Sequence, residues 1–192
     1  MKLLYEAKCL GYRELNNGAH LIGHVPHVAP KAWLHTVYSP LSEAHILELE
    51  NNIRISFPYS FISLLKLSNG LRIFSDTLSI DGYRLSYNRV GDEAIQPYSI
   101  LTQDLDERPK DSRVSFLYIG GYFTNDGSSL YIDNDTDMVY RCTHKSSQPL
   151  NQWNNLWDML LSKTIRLSKL FDSNGKQINP KQPLIPEREV WD

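Results

Sequence analysis

The sequence predicts an α+β fold, and two observations point to it. Between residues 71 and 140, apolar and polar residues alternate with the period of two that is typical of β-strands. On either side of this stretch, near residues 43–70 and 152–171, apolar residues recur with helical spacing. Strands grouped in the middle and helices grouped towards the ends favour α+β over a doubly wound sheet, in which strands and helices would alternate.

The composition is that of a globular protein with one main core. The chain has 192 residues, of which 41% are hydrophobic and 22% charged, and this length suffices to bury roughly 70% of the unfolded surface. Two cysteines, Cys9 and Cys142, are too few for a disulfide framework or a cysteine zinc site. No apolar run reaches the ~18 residues of a membrane span, and Glu6 and Lys8 interrupt the stretch that a signal peptide would need. We therefore expect a cytoplasmic protein without a membrane segment.

Residues 1–42 are expected to form an N-terminal extension packed on the main domain. They mix Gly, Pro, Asn and His with short apolar pieces, which indicates short strands and loops rather than a long helix. His20, His24 and His27 lie close together, but Leu-Ile-Gly and Val-Pro between them prevent the single helical face of a His-Glu-x-x-His zinc site. We expect no metal centre.

Two helices are predicted at the start of the main domain. The first runs through SEAHILELENNI with Ser42 as its N-cap, because a serine hydroxyl can accept a hydrogen bond from the first turn. The second follows Pro58, which is tolerated in a first helical turn, and directs Phe61 towards the core. Asn69-Gly70 is predicted to end this helix in the left-handed conformation.

Strands occupy the middle of the chain. LRIFSDTLSIDGYRLS is predicted to be a hairpin with its turn at Asp81-Gly82. VSFLYIGGYFTNDGSSLYIDNDTDMVYRCTH predicts three strands with turns at residues 125–127 and 134–135. Gly120-Gly121 indicates a β-bulge or a strand end where another backbone approaches closely.

The remaining segments are a loop, a closing helix and a tail. The loop that precedes the three strands is predicted to include a short helix near residues 100–105. QWNNLWDMLLSKTIRLSKLF predicts a helix with Trp157 on its core side. Residues 172–192 are rich in proline and are expected to form an extended arm, docked by Val190 and Trp191.

Short motifs follow one another in a fixed order along residues 43–162. They are Glu50 with Ile53-Arg54-Ile55, Phe57-Pro58-Tyr59, Phe61-Ile62, Asn69-Gly70, Phe116-Leu117-Ile119-Gly120, Asp126-Gly127, Leu130-Ile132-Asp133, Val139-Tyr140, and Trp153 through Leu160. As an ordered set they resemble the SUKH superfamily, which includes fungal cell-wall-synthesis regulators and many bacterial toxin-immunity proteins. The chain departs from that pattern in a long insert before Arg113 and in Phe57, where a small aliphatic residue is commoner.

The resemblance implies a fold and a class of function. It implies one twisted, mostly antiparallel sheet with helices packed on it, a SUKH-like domain over residues 43–171, no catalytic centre and no cofactor. It also implies an immunity role, in which the protein binds and neutralises a toxin, often a nuclease.

Charge is unevenly distributed along the chain and suggests the kind of partner. Residues 43–137 contain 8 basic and 15 acidic side chains, although the whole chain has a net charge of −2. An acidic middle could attract a basic partner, whereas direct binding of nucleic acid would need clustered Lys and Arg, which the chain lacks. The alternative that these acids are spread over solvated faces remains open.

A nuclease must present basic residues to phosphate, so its inhibitor gains association rate from acidic residues and affinity from aromatic anchors. The candidate partner-binding residues are Asp104, Asp106, Glu107, Asp126, Asp133, Asp135, Asp137, Tyr98 and Tyr122. Tyr131 is a further aromatic candidate, but its alternation with Leu130 and Ile132 could place it in the core instead.

Other functions stay open at this point. The protein could be a regulatory scaffold like the fungal relatives, or a hydrolase with an unrecognised site, for which Cys142 near His144 is one candidate nucleophile pair. The acidic turn at residues 133–137 resembles the start of a calcium loop, but Met138 and His144 stand where such a loop needs Gly and Glu.

Overall fold

A single nine-stranded antiparallel sheet forms the centre of the computed structural model, which describes residues 2–188. The strands follow one another in chain order across the sheet. They are β1 (Tyr12–Glu14), β2 (His20–His24), β3 (Trp33–Val37), β4 (Leu71–Ile73), β5 (Leu78–Ile80), β6 (Phe116–Gly121), β7 (Ser129–Asp133), β8 (Met138–Thr143) and β9 (Ser146–Trp153). The helices are α1 (Lys2–Tyr5), α2 (Glu43–Ile53), α3 (Tyr59–Leu65) and α4 (Leu156–Ser168). The predicted α+β class and the single antiparallel sheet are confirmed.

The N-terminal residues supply three of the nine strands. β3 pairs with β4 in the register His35 to Ile73, so residues 12–37 continue the same sheet as the later strands. The prediction of short strands and loops in this region is confirmed. The first ten residues differ, because α1 and a 3₁₀ turn at Glu6–Leu10 precede β1.

The sheet has two buried faces with different chemistry. Leu117 and Ile119 of β6 belong to the large aliphatic core, which also includes the buried residues of α2, α3 and α4. Phe116 and Tyr118 alternate with them and face the other way, into a smaller cluster with Tyr131. Tyr131 is 2% exposed and stacks on Phe116 at 4.3 Å between ring centroids, so it is a core residue and not a surface anchor.

The first two predicted helices form, and one of them ends early. Ser42 Oγ accepts a hydrogen bond from the His45 backbone N–H at 3.2 Å and so caps α2 as predicted. α3 ends at Leu65, four residues before Asn69, so the predicted stop at Asn69-Gly70 was wrong. Instead, the side-chain oxygen of Asn69 accepts a hydrogen bond from the Tyr83 backbone N–H at 2.6 Å. This bond holds the chain after β5 against the end of α3.

The turn of the β4–β5 hairpin also lies elsewhere than predicted. The turn comprises residues 74–77, and Asp81-Gly82 follows β5. Arg72 Nε donates to Asp76 Oδ1 at 2.6 Å, and this ion pair favours a turn at that position. Gly82 instead allows a close approach to Asn69, since a Cβ built there would lie 2.3 Å from Asn69 Oδ1.

The prediction for Gly120 is confirmed. The β6–β7 register shifts between Tyr118 and Gly120, which is a β-bulge, and Gly120 has a φ of +145°. A Cβ at Gly120 would lie 2.2 Å from the Ser79 carbonyl oxygen, so β6 approaches β5 as closely as glycine permits.

A long insert, residues 81–115, separates β5 from β6. It contains a 3₁₀ turn at Gly91–Ala94 and a π-helical turn at Thr102–Asp106, close to the short helix predicted near residues 100–105. Part of it covers the aromatic face of the sheet, where Ser112 Oγ lies 2.7 Å from Tyr118 Oη. The insert therefore connects β5 to β6 and also packs on the aromatic face of the sheet.

The C-terminal part contains an unpredicted strand and a docked arm. β9 extends to Trp153, so α4 begins later than the helical pattern suggested, with Asn155 as its N-cap. Arg166 of α4 donates hydrogen bonds to backbone carbonyls of residues 183–185, which holds the arm against the helix. Val190 and Trp191, predicted to dock the arm, lie outside the described residues.

Candidate partner-binding surface

The structure divides the nine candidate residues by exposure. Exposed or half-buried are Tyr98, Asp106, Glu107, Asp126, Asp135 and Asp137. Buried are Asp104, Tyr122 and Asp133. The exposed candidates further separate into two groups near opposite ends of β7, because residues 134–137 follow this strand and Asp126 precedes it.

Asp104 is buried because its carboxylate accepts a hydrogen bond from a backbone N–H at the edge of β6. It is 1% exposed, and its Oδ1 accepts the Tyr118 backbone N–H at 2.9 Å. That N–H lacks a strand partner, since β5 pairs with β6 only at Gly120 and Gly121. Asp104 thus completes the hydrogen bonding of the sheet, and the expectation that it is exposed was wrong.

Tyr122 is buried beneath an arginine that organises the end of the sheet. Its ring is fully buried, with the Arg141 guanidinium 5.7 Å from the ring centroid. Arg141 is itself 3% exposed and donates to Asp126, to Ser128 Oγ at 2.8 Å and to the Pro186 carbonyl at 3.2 Å. Tyr122 therefore cannot anchor a partner, and the charge of Asp126 is already paired.

The acidic turn at residues 133–137 has a structural role. Asp133 Oδ1 accepts hydrogen bonds from Ser115 Oγ at 3.1 Å and from the Asp135 backbone N–H at 3.2 Å. Asp137 accepts a hydrogen bond from the Ser60 hydroxyl at 2.7 Å, and this bond connects the turn to α3. Of these three carboxylates only that of Asp135 is freely exposed.

Tyr98 and Glu107 do come together, in a cleft of about 570 Å³ between the insert and the loop after β6. Its lining residues are Asp81, Arg84, Tyr87, Tyr98, Ser99, Thr102, Gln103, Glu107, Phe123 and Thr124. Tyr98 and Phe123 meet edge to face at 5.9 Å, and the Tyr87 side chain is 72% exposed. We call this cavity the insert cleft.

The floor of the insert cleft includes Asp81, a residue that sequence reasoning assigned to a turn. Asp81 is 1% exposed, and its Oδ1 accepts the Ser79 hydroxyl at 3.0 Å. Burial raises the pKa of Asp81 to about 7; the Ser79 hydrogen bond opposes this rise, and the nearby charge of Glu107 adds to it. Buried carboxylates with raised pKa values occur in many functional clefts, and Asp81 combines this property with a place in the cleft lining.

The insert cleft has an acidic residue, Glu107, among its lining residues, and Asp106 precedes it in the chain. Asp106 and Glu107 are exposed and form no ion pair with any residue from 2 to 188. Tyr87, which lines the cleft, is 72% exposed. Unpaired acids beside exposed aromatic side chains are suited to binding a basic protein surface.

A second surface on the molecule is apolar. α4 exposes Trp157, Leu161 and Ile165 along one side, next to a groove of about 270 Å³ between α1 and α4. This corrects the prediction that Trp157 faces the core, since 38% of it is exposed. None of the residues that line the groove is acidic, so it does not match the predicted acidic surface.

The candidate nucleophile pair is poorly arranged for catalysis. Cys142 is fully buried in the aromatic cluster, and burial raises the pKa of its thiol to about 12, so it is protonated at neutral pH. His144 lies beyond the end of β8 and is exposed. This geometry gives no support to hydrolysis by Cys142.

Residues 2–188 contain neither a cluster of metal ligands nor a membrane-spanning helix. Within that range no group of three or more His, Cys, Asp or Glu side chains is placed to hold a metal ion. None of the helices described there has the length and apolar character needed to cross a bilayer.

Comparison with models of known protein families identifies a match. The family model for the SMI1/KNR4 family (SUKH-1) matches residues 40–162. That range includes α2, α3, β4 to β9 and the first half of α4, together with the insert. No curated protein sequence matches the chain.

Proposed function

Because the chain belongs to the SMI1/KNR4 family (SUKH-1), whose members are generally non-enzymatic protein-interacting domains, we propose that it is an immunity protein. It binds and neutralises a cognate polymorphic toxin with a basic surface, such as a nuclease. The observation that carries this proposal is the insert cleft, where unpaired acids and aromatic rings share one surface.

Charge complementarity supports a basic partner. The Asp106 and Glu107 carboxylates are exposed and free of ion pairs among the described residues, so their field is available to an approaching protein. A nuclease cannot dispense with the basic residues that contact phosphate, and an inhibitor that covers them blocks the substrate directly. Long-range attraction of this kind raises the association rate.

The aromatic rings of the insert cleft supply contact area. Tyr87 and Tyr98 combine a large apolar surface with a hydroxyl group, and tyrosine is among the residues that dominate binding energy at protein interfaces. The insert thus provides both the charge and the anchors of the proposed interface.

Neutralisation in cells tests the proposal directly. The chain is produced together with C-terminal domains of polymorphic toxins, starting with any encoded beside its own gene. We expect growth to be restored with one toxin, and the purified pair to form a stable complex. Persistent killing by every neighbouring toxin domain, with the chain folded and abundant, would contradict an immunity function.

Association kinetics with that toxin test the surface. Glu107→Lys is expected to slow association about three- to tenfold at low salt, because a rim charge acts mainly on the encounter. The effect should shrink as salt rises through about 0.1 M, where the Debye length is about 10 Å. Stopped-flow measurements provide both rates.

The matched control for this experiment is Asp135→Lys. It changes the net charge equally but lies at the other end of β7, beyond the proposed interface. Equal slowing by the two variants would show that overall charge, not the insert cleft, guides association.

A further inference from the structure

Asp81 is a buried carboxylate without a cationic partner. Among residues 2–188, no lysine or arginine lies within ion-pair distance of it. The Ser79 hydroxyl is the one hydrogen-bond donor to its side chain within this range, and it reaches Oδ1. No hydrogen bond to Oδ2 is found among these residues, and Asp81 lines the insert cleft. Burying a carboxylate in this state is unfavourable, and a cation would relieve the cost.

The walls of the insert cleft suit an organic cation. Tyr87, Tyr98 and Phe123 line it, and aromatic faces attract guanidinium and ammonium groups. The chain already uses this chemistry twice here, since Arg72 lies 5.1 Å from the Tyr98 ring centroid and Arg84 lies 5.1 Å from that of Tyr87.

The chain's own arginines do not satisfy Asp81. Arg84 lines the cleft, but its guanidinium is placed over Tyr87 and its Nε donates to the Ser86 carbonyl at 3.2 Å. Arg72 is paired with Asp76 at 2.6 Å. Glu107, the charged group that acts on Asp81, has the same sign.

We propose that the insert cleft receives one arginine side chain of the partner protein, with its guanidinium bound to Asp81 and its methylene stem against the aromatic rings. The inference rests on the proposed function and adds to it the chemistry of the central contact. Arginine fits this site because its planar fork can hydrogen-bond to a carboxylate while its face stacks on a ring. Glu107 at the rim contributes attraction of the same kind.

The test uses a small probe, so it does not depend on the toxin. N-acetyl-arginine-N′-methylamide is titrated into the full chain while amide and aromatic NMR signals are recorded. Saturable shifts at Tyr98 and Phe123 are expected, with a Kd in the millimolar range that suits one side chain. The citrulline analogue, which has nearly the same shape and no charge, should produce no saturable shift.

Two variants locate the binding site. Asp81→Asn keeps the shape and the Ser79 hydrogen bond and is expected to weaken binding of the arginine probe at least tenfold. Asp135→Asn removes an exposed carboxylate that follows β7, outside the proposed interface, and should change the affinity less than twofold. An unchanged spectrum elsewhere shows that each variant is folded.

The possible failures are distinguishable. The inference is overturned if the arginine probe causes no shift, if the citrulline analogue binds equally well, or if Asp81→Asn binds like the wild type. Toxin neutralisation with any of these results would leave the proposed function standing and place the central contact elsewhere. Arginine binding without neutralisation of any toxin would reject the immunity function alone.

Discussion

Phe61→Ala is expected to lower the free energy of unfolding by about 3–5 kcal/mol, the usual cost of removing a buried aromatic ring. Phe61 is fully buried in α3 and packs against Phe57 with 5.3 Å between ring centroids. Both rings belong to the aliphatic core between the helices and the sheet. The surrounding elements cannot close the resulting cavity without moving α3, so most of the loss should persist.

Urea unfolding at equilibrium measures this loss, and the same helix offers a control. Tyr59 begins α3 but is 83% exposed, so Tyr59→Ala should cost less than about 0.5 kcal/mol. A loss below that value for Phe61→Ala as well would mean that the apolar stripe of α3 is not packed on the sheet, against the architecture described above.

Local patterns in the sequence were sufficient for most of the helices and for the central strands. Ser42 followed by an apolar stripe is a start signal that depends on a few neighbouring residues, and α2 obeys it. Gly120 was recognisable for a similar reason, since glycine pairs in strands mark bulges or close approach. The strands β6 to β8 alternate clearly and were predicted correctly.

The errors occurred where tertiary contacts override local preference. Asp81-Gly82 has a turn composition, but the Arg72–Asp76 ion pair and three residues with positive φ place the turn at residues 74–77 instead. Asn69-Gly70 has the composition of a helix stop, yet Asn69 is engaged by Tyr83 from the insert. The sequence does not indicate β9, because apolar and polar residues do not alternate in SSQPLNQW and the segment contains a proline.

The site was predictable only in part because sequence does not report the exposure of an acid. Tyr98 and Glu107 do meet in the insert cleft, as members of the predicted acidic and aromatic set. Asp104 looked like its neighbour Asp106, but an incomplete strand edge draws Asp104 inward. Asp81 was missed because no local signal marks a carboxylate that folding buries.

That burial leads to the second large effect: Asp81→Asn is expected to stabilise the protein at high pH. Burial raises the pKa of Asp81 from 3.8 to about 7, so the folded state binds a proton that the unfolded state releases between these values. The contribution of this proton to stability is fully present below pH 3.8 and is lost as the pH rises through 7. Near pH 8 the wild type therefore bears the cost of an ionised buried carboxylate, roughly 2–4 kcal/mol.

Asparagine should avoid this cost, because its amide is neutral at every pH and its carbonyl can still accept the Ser79 hydroxyl. Unfolding measured at pH 8 and at pH 4 should give a large difference between variant and wild type at the higher pH and almost none at the lower. The other charged groups in the insert cleft, Glu107 and Arg84, are present in both proteins, so their contributions largely cancel in the difference between variant and wild type. Asp106→Asn, an exposed carboxylate, should show no such pH-dependent gain.

An Asp81→Asn variant that is no more stable than the wild type at pH 8 would mean that Asp81 is solvated or already paired, which would remove the physical basis for a cation in the insert cleft. A variant that gains stability and loses arginine binding would connect the two properties in one residue. The free-energy cost of burying ionised Asp81 would then be offset when a guanidinium binds, because the partner supplies the positive charge that the chain itself does not.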